Sequence, residues 1–280
     1  MDHKALFDHS TLICSKNITN LYSTSFSLGI KTFDKKFHLP IYGIYGFVRY
    51  ADEIVDTFHE YDKKALLAEF KNETYQAIER KLSLNPVLHA FQLIVNEYNI
   101  GLDLIEAFLK SMEMDLYDIE YNNDLYNEYI YGSAEVVGLM CLRVFCKNNE
   151  SQYQTLVPSA RALGAAFQKI NFLRDIKSDY QERGRTYFPD LDFKNFTNED
   201  KIKIELDIKA DFDKGFEGIK MLPKGAKLGV YVAYIYYLQL FKKIKELPAS
   251  RISEERIRVP NFQKISLLVQ SYFRFQLNAI

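Results

Sequence analysis

An all-α fold, a single-domain helical bundle spanning residues 1–280, is predicted by three observations. Helical periodicity dominates the chain, and no stretch alternates apolar and polar residues convincingly enough for a half-buried strand. Most of the seven prolines (Pro40, Pro86, Pro189, Pro223, Pro248 and Pro260) fall between or at the start of apolar-periodic segments, where the lost backbone donor does least harm. Two helical segments each place aspartates at i and i+4 in an apolar, aromatic-rich setting. No internal repeat or Gly/Ser linker divides the chain, and 48% hydrophobic residues fill a substantial core.

Residues 4–20 read as a first amphipathic helix, and Tyr22 to Gly29, rich in Ser and Thr, as a loop or helix entry capped by a hydroxyl. Residues 40–58 form the first acidic helix. Segments 62–83, 86–98 and 101–120 are ordinary bundle helices whose charges face solvent. His59 and His89 have no partner at ligand spacing and are assigned structural or surface roles. Residues 124–147 are long and apolar, with small residues at Gly132, Ser133, Ala134 and Gly138 that let a neighbour approach the backbone. The second acidic helix follows, with Pro158 near its start or kinking it and Gly184 ending it. Residues 194–220 are charged and amphipathic, 224–247 form a tyrosine-rich helix, Pro248 to Pro260 is a loop, and an apolar helix closes the chain.

Chemistry concentrates in the acidic helices. In LGAAFQKINFLRDIKSDYQERGRTYFP, Gln168, Asn171, Asp175 and Asp179 share one face, with Arg174 beside them. Polar groups on an otherwise apolar helix must find partners, and two aspartates one turn apart repel. A hard cation removes that cost. In YGIYGFVRYADEIVDTF, Asp52 and Asp56 repeat the spacing, with Arg49 one turn earlier. A single pair of this kind is most often a solvated face; two such pairs on apolar helices, facing across a cavity, supply oxygen ligands for Mg²⁺ ions that prefer phosphates as co-ligands. The pattern calls for a diphosphate.

These motifs, with YSTSFSLGI upstream and RIRVPNFQK downstream, resemble those of the squalene/phytoene synthases, the head-to-head prenyl transferases, from about Tyr22 to Tyr272. The resemblance implies an isoprenoid-synthase bundle around a central cavity, with Asp52, Asp56, Asp175 and Asp179 holding metal and Arg49 and Arg174 assisting catalysis. It implies substrate contacts from Ser23, Ser25, Phe26, Tyr45, Gln168, Asn171, Arg185, Tyr187 and Tyr236, and from Arg256 or Arg258 in the basic loop. The family usually has Val-Ala-Gly where this chain has Ser133, Ala134 and Glu135, which bears on cavity shape and chain-length selection.

Within the family, ADEIVD and RIRVPNFQK look more like phytoene synthases, which join two C20 geranylgeranyl diphosphates through a cyclopropyl diphosphate. Squalene or dehydrosqualene synthesis from two C15 farnesyl diphosphates is the alternative. The expected cofactor is Mg²⁺, with Mn²⁺ as a substitute and no NADPH. Head-to-tail synthases and terpene cyclases carry DDxxD or NSE-type motifs, which this chain lacks, and a non-catalytic assembly factor would be expected to lose aspartates.

A formal charge of −1 gives no nucleic-acid surface. Three cysteines at no metal spacing, and an opening MDHKALFDHS with no apolar run, point to a reducing cytoplasmic setting. So greasy a product favours transient docking at the inner membrane face. The 21 Phe and 20 Tyr fit either a large aromatic core or a cavity walled by π-faces that stabilise carbocations.

Overall fold

The computed structural model describes residues 2–117, 119–147, 149–183, 187–189, 196–252, 257–278 and 280; the side chains of 178–183 and 261 lie outside that description. The described chain is helical throughout. Its helices are α1 (His3–Tyr22), α2 (Thr24–Ile30), α3 (Lys35–Asp56), α4 (Lys63–Arg80), α5 (Pro86–Tyr98), α6 (Leu102–Met114), α7 (Asn123–Ile130), α8 (Val136–Phe145), α9 (Glu150–Arg183), α10 (Asn198–Met221), α11 (Lys224–Lys245), α12 (Ala249–Ile252) and α13 (Asn261–Gln276). A π-helical turn, Tyr131–Glu135, joins α7 directly to α8.

The first acidic helix, α3, buries Phe37, Ile41, Ile44, Phe47, Ala51 and Ile54, a stripe at spacings of three and four. Phe47 is fully buried and stacks on Phe91 of α5 with ring centroids 3.8 Å apart. Gly46 lets α1 cross α3 closely, since a Cβ there would stand 2.9 Å from that of Ser15. Helix α3 packs against α1 and α5, α9 packs chiefly against α10, and α8 touches both α3 and α9. Helix α11 lies on α9 and is itself flanked by α2 and α13.

Several boundaries differ from the sequence expectation. Helix α3 starts at Lys35, so Pro40 sits inside it rather than at its start. The carbonyl that Pro40 deprives of a partner is that of Lys36, in the exposed first turn where water can serve it. Pro158 likewise lies inside α9, opposite the exposed Gln154. The segment after Tyr22 is a helix entry: Ser23 caps α2 by accepting from the Phe26 N–H at 3.2 Å. Helix α10 begins behind a capping box formed by Thr197 and Asp200. The expected helix end at Gly184 lies outside the described residues.

His89 is structural. Its Nδ1 accepts from the Ser83 N–H at 3.1 Å, which leaves the Nε2 proton to donate to Asp8 at 2.8 Å and tie α5 to α1. No described helix is long and apolar enough to cross a membrane. The Gly229–Phe241 run lies within α11, with Tyr231, Tyr234, Leu240 and Phe241 buried.

Candidate functional site

On α3 the face opposite the buried stripe carries Tyr45, Arg49, Asp52 and Asp56 at spacings of four, three and four, all half-buried. Arg49 is ion-paired with Glu53, and its guanidinium lies 4.5 Å from the centre of the Tyr22 ring. Its Nε is buried and has no hydrogen-bond partner among the described residues. A buried guanidinium donor left unmatched is costly, and an anionic oxygen would satisfy it.

Phe26 of α2 stacks on Tyr45 with centroids 4.7 Å apart and planes 26° from parallel. Burial pushes the Tyr45 phenol up, partly offset by Arg49 and a hydrogen bond with Ser23, while Asp52 and the nearby Tyr237 phenol add to the rise. Ser25 is drawn to the other side, accepting from Lys264 Nζ of α13 at 2.9 Å.

On α9, Gln168, Asn171, Arg174 and Asp175 are half-buried. Asn171 donates to Gln168 Oε1 at 3.4 Å and accepts from the Tyr237 hydroxyl at 3.3 Å. Tyr237 stacks on Phe167 at 4.0 Å, and Tyr236 meets it edge-on at 5.5 Å. Burial raises the Tyr237 phenol, opposed by Arg174 and the Asn171 bond. Arg174 grips its own neighbour: Nε donates to Asp175 Oδ1 at 3.0 Å and Nη2 to Oδ2. Burial alone would lower the Arg174 guanidinium, but the fork to Asp175 holds it above its ordinary value.

Tyr237 of α11 thus bonds Asn171 of the second acidic helix and acts electrostatically on Tyr45 of the first. The line of groups runs from Asp52 and Arg49 through the two phenols to Asn171, Arg174 and Asp175. Its composition is carboxylates and guanidinium groups beside neutral aromatic faces, which can bind an anion at one end and shield a cation at the other. Among the described residues no three His, Cys, Asp or Glu side chains converge as a ready-made metal cluster.

Three expected site residues, Asp179 (its side chain), Arg185 and Arg256, lie outside the description. Arg258 is exposed, and its carbonyl accepts from Lys243 at 3.3 Å. Tyr187 is buried in an aromatic cluster, stacked on Phe172 at 4.2 Å and near Tyr129 at 5.1 Å. The Tyr129 hydroxyl donates to the buried carboxylate of Asp115 at 2.9 Å.

Sequence reasoning missed Tyr237, Glu53, Lys264 and the Asp115–Tyr129 pair. Glu53 was signalled by its i+4 spacing from Arg49; Tyr237 was hidden among the four tyrosines of one helix. Lys169 of α9 is 8% exposed and bonds Asp207 and Asp211 of α10, the latter at 2.7 Å. Burial pulls the Lys169 ammonium down, but the two carboxylates outweigh it and hold it above its usual value. Glu135, itself largely buried, pairs with the half-exposed Arg161 at 2.5 Å.

The sequence profile of squalene/phytoene synthases matches residues 19–263. Among curated relatives, a phytoene synthase of Arthrospira platensis is 26% identical over 92% of this chain and 91% of its own length. The 15-cis-phytoene synthase of Synechocystis is 28% identical, over 95% of this chain and 85% of its own. A crystal structure of a dehydrosqualene synthase with bound ligand superposes with a TM-score of 0.79 at 20% identity, covering 96% of this chain and 98% of that one. The squalene synthase of Alicyclobacillus acidocaldarius gives 0.74 at 18% identity, over 85% and 94%. At those identities the two structures speak for the fold.

Proposed function

Because this chain belongs to the squalene/phytoene synthase family, we propose that it joins two geranylgeranyl diphosphates head to head, giving phytoene through a cyclopropyl diphosphate. The reading of the product is supported by the curated relatives, which carry phytoene synthase names over most of this chain. The observation that carries the chemistry is the buried, unmatched Arg49 Nε, set on the same face as Asp52 and Asp56.

The family's chemistry depends on divalent metal in general. For this chain we assign Mg²⁺ to Asp52, Asp56, Asp175 and Asp179, a hard-oxygen donor set that suits it. When bound, the metal neutralises charge developing on the departing diphosphate. The remaining work falls to side chains. Arg49 Nε donates to a diphosphate oxygen, and Arg174 can exchange Asp175 for phosphate, keeping a charge-assisted fork in both states. Tyr45, Tyr237 and Phe26 present neutral aromatic faces to the allylic cation and exclude the water that would quench it. The last cation loses a proton, to the departing diphosphate or another base, and no hydride donor is required.

The test supplies C15 and C20 diphosphates separately with Mg²⁺, each with and without NADPH, and identifies the hydrocarbons by mass. A C40 triene whose yield ignores NADPH supports the proposal. A C30 hydrocarbon that gains two hydrogens on addition of NADPH would overturn it.

A further inference from the structure

Arg49 reaches the candidate site on a long side chain, and its Nε must stand in one place to meet an anion. An arginine left free loses rotamer freedom on binding, and that loss weakens the complex. Two neighbours that have no part in the chemistry so far hold it. Glu53, whose side chain is 13% exposed, takes Nη2 in an ion pair. The ring of Tyr22 covers the guanidinium, its centre 4.5 Å from the central carbon. One edge and one face are thereby engaged, while Nε stays buried and unmatched among the described residues.

Stability gives little reason for either contact. A basic residue four places before an acidic one is the poorer order for an ion pair on a helix. On the wheel of α3, at 100° per residue, Glu53 lies about 40° from Arg49 and about 100° from Asp52, at the edge of the acidic face. Among the described residues Asp52, Glu53 and Asp56 are not drawn together into a metal cluster; the Glu53 carboxylate is turned to Arg49 instead. Tyr22, about half exposed, adds little to the core. It is the last residue of α1, the helix that Gly46 lets cross α3 closely at Ser15. The next residue, Ser23, hydrogen-bonds the Tyr45 phenol. The junction of α1 and α2 thus reaches α3 at two site positions one turn apart, with a ring on Arg49 and a hydroxyl on Tyr45.

We propose that Glu53 and Tyr22 are positioning residues that act through Arg49, fixing its guanidinium so that the unmatched Nε meets a diphosphate oxygen without first being ordered. Glu53 is then no metal ligand, although it adjoins Asp52 in the chain. That the diphosphate belongs to a prenyl substrate rests on the function proposed above; the hold on Arg49 does not.

The experiment is calorimetric titration of the full chain with inorganic diphosphate at saturating Mg²⁺, without prenyl substrate. Glu53→Ala, and Tyr22→Leu, which keeps an apolar cover without a π-face, are each expected to weaken binding about tenfold at an unchanged melting temperature. Glu53→Gln keeps an oxygen that accepts from Nη2, and Tyr22→Phe keeps the ring, so both are expected within about twofold of the parent. In an Arg49→Met background none of the four is expected to weaken binding further. Parent-like affinity in Glu53→Ala or Tyr22→Leu overturns the assignment of that residue, and a further loss in the Arg49→Met background overturns the route through Arg49. A loss in Glu53→Gln as large as that in Glu53→Ala, with a raised Mg²⁺ requirement, overturns the proposal by placing Glu53 among the metal ligands. Hydrocarbon formation from C15 and C20 diphosphates is measured in parallel. A parent that binds no diphosphate overturns the proposal and the function together, whereas one that binds it and forms no hydrocarbon overturns the function alone.

Discussion

Arg174 and Lys169 lie on the same helix, are both basic and half-buried or deeper, and hold opposite kinds of partner. Arg174 grips Asp175 within the site, whereas Lys169 ties α9 to Asp207 and Asp211 of α10. Arg174→Ala is expected to lower turnover with little change in melting temperature. Lys169→Ala leaves two carboxylates facing each other without their cation and is expected to cost about 1–2 kcal/mol of stability, since the largely exposed Asp207 is screened by water. Turnover and thermal denaturation measured on both variants check the split; a Lys169→Ala protein that melts like the parent but turns over slowly would reverse the assignment. Asp52→Asn and Asp175→Asn are each expected to lower product formation by about 10²-fold or more while circular dichroism stays native. Near-parental rates at saturating Mg²⁺ in either variant would remove that aspartate from the metal set. The fork to Arg174 also means that Asp175→Asn gives no relief of like-charge repulsion, because Asp175 already has an opposite charge against it.

At the scale of elements, most helices were legible because their apolar stripes keep a period near 3.6 over ten residues or more, as in α3 and α5. The start of α3 was misplaced because Pro40 reads as a boundary, while the exposed turn before it tolerates the missing bond. The π turn was illegible for a different reason: five residues bonded one step further along the chain leave no periodic trace. Its signal was only the run of small residues, whose purpose the structure explains. A Cβ on Gly132 would stand 2.4 Å from the Ala107 carbonyl oxygen and 2.7 Å from Ser111 Cβ, so α6 passes against the bare backbone there. Gly132→Ala is expected to destabilise the fold by about 1–3 kcal/mol, read from denaturant midpoints; a midpoint equal to the parent's would show that α6 can move aside. Of the candidate site, the acidic face and Arg174 were readable as spacing, whereas the bond of Tyr237 to Asn171 depends on how α11 and α9 approach one another, which no local pattern encodes. The join between α1 and α5 adds a pH-dependent contribution. Burial alone would raise the Asp8 carboxyl, but bonds to Lys4 and His89 hold it below its ordinary value of 3.8. A carboxyl lowered in the folded state contributes stability that is present above that ordinary value and lost as pH falls through the folded one. His89→Ala is therefore expected to flatten the acid limb of the stability curve below about pH 4, a loss measurable by urea melts across pH.

For the molecule as a whole, the segregation of charge matters more than its sum. With eight cations and no acid on α11 and residues 257–280, the rest of the chain must carry a net negative charge larger than the total of −1. Charge is thus unevenly distributed along the chain while its sum is small, and a charged matrix responds to the face it meets rather than to the total. At pH 7 and low salt this formally anionic protein is expected to be held by a cation-exchange resin, with the α11 and α13 side against the matrix, and to elute as the Debye length shrinks. Reversing Lys242 and Lys245 to Glu, far from the Tyr45 and Asp175 region in sequence, should abolish that retention; an unretained parent would mean that its surface potential is even. The same asymmetry gives each molecule a preferred orientation before any contact forms, so an approaching charged plane meets one end of the protein first.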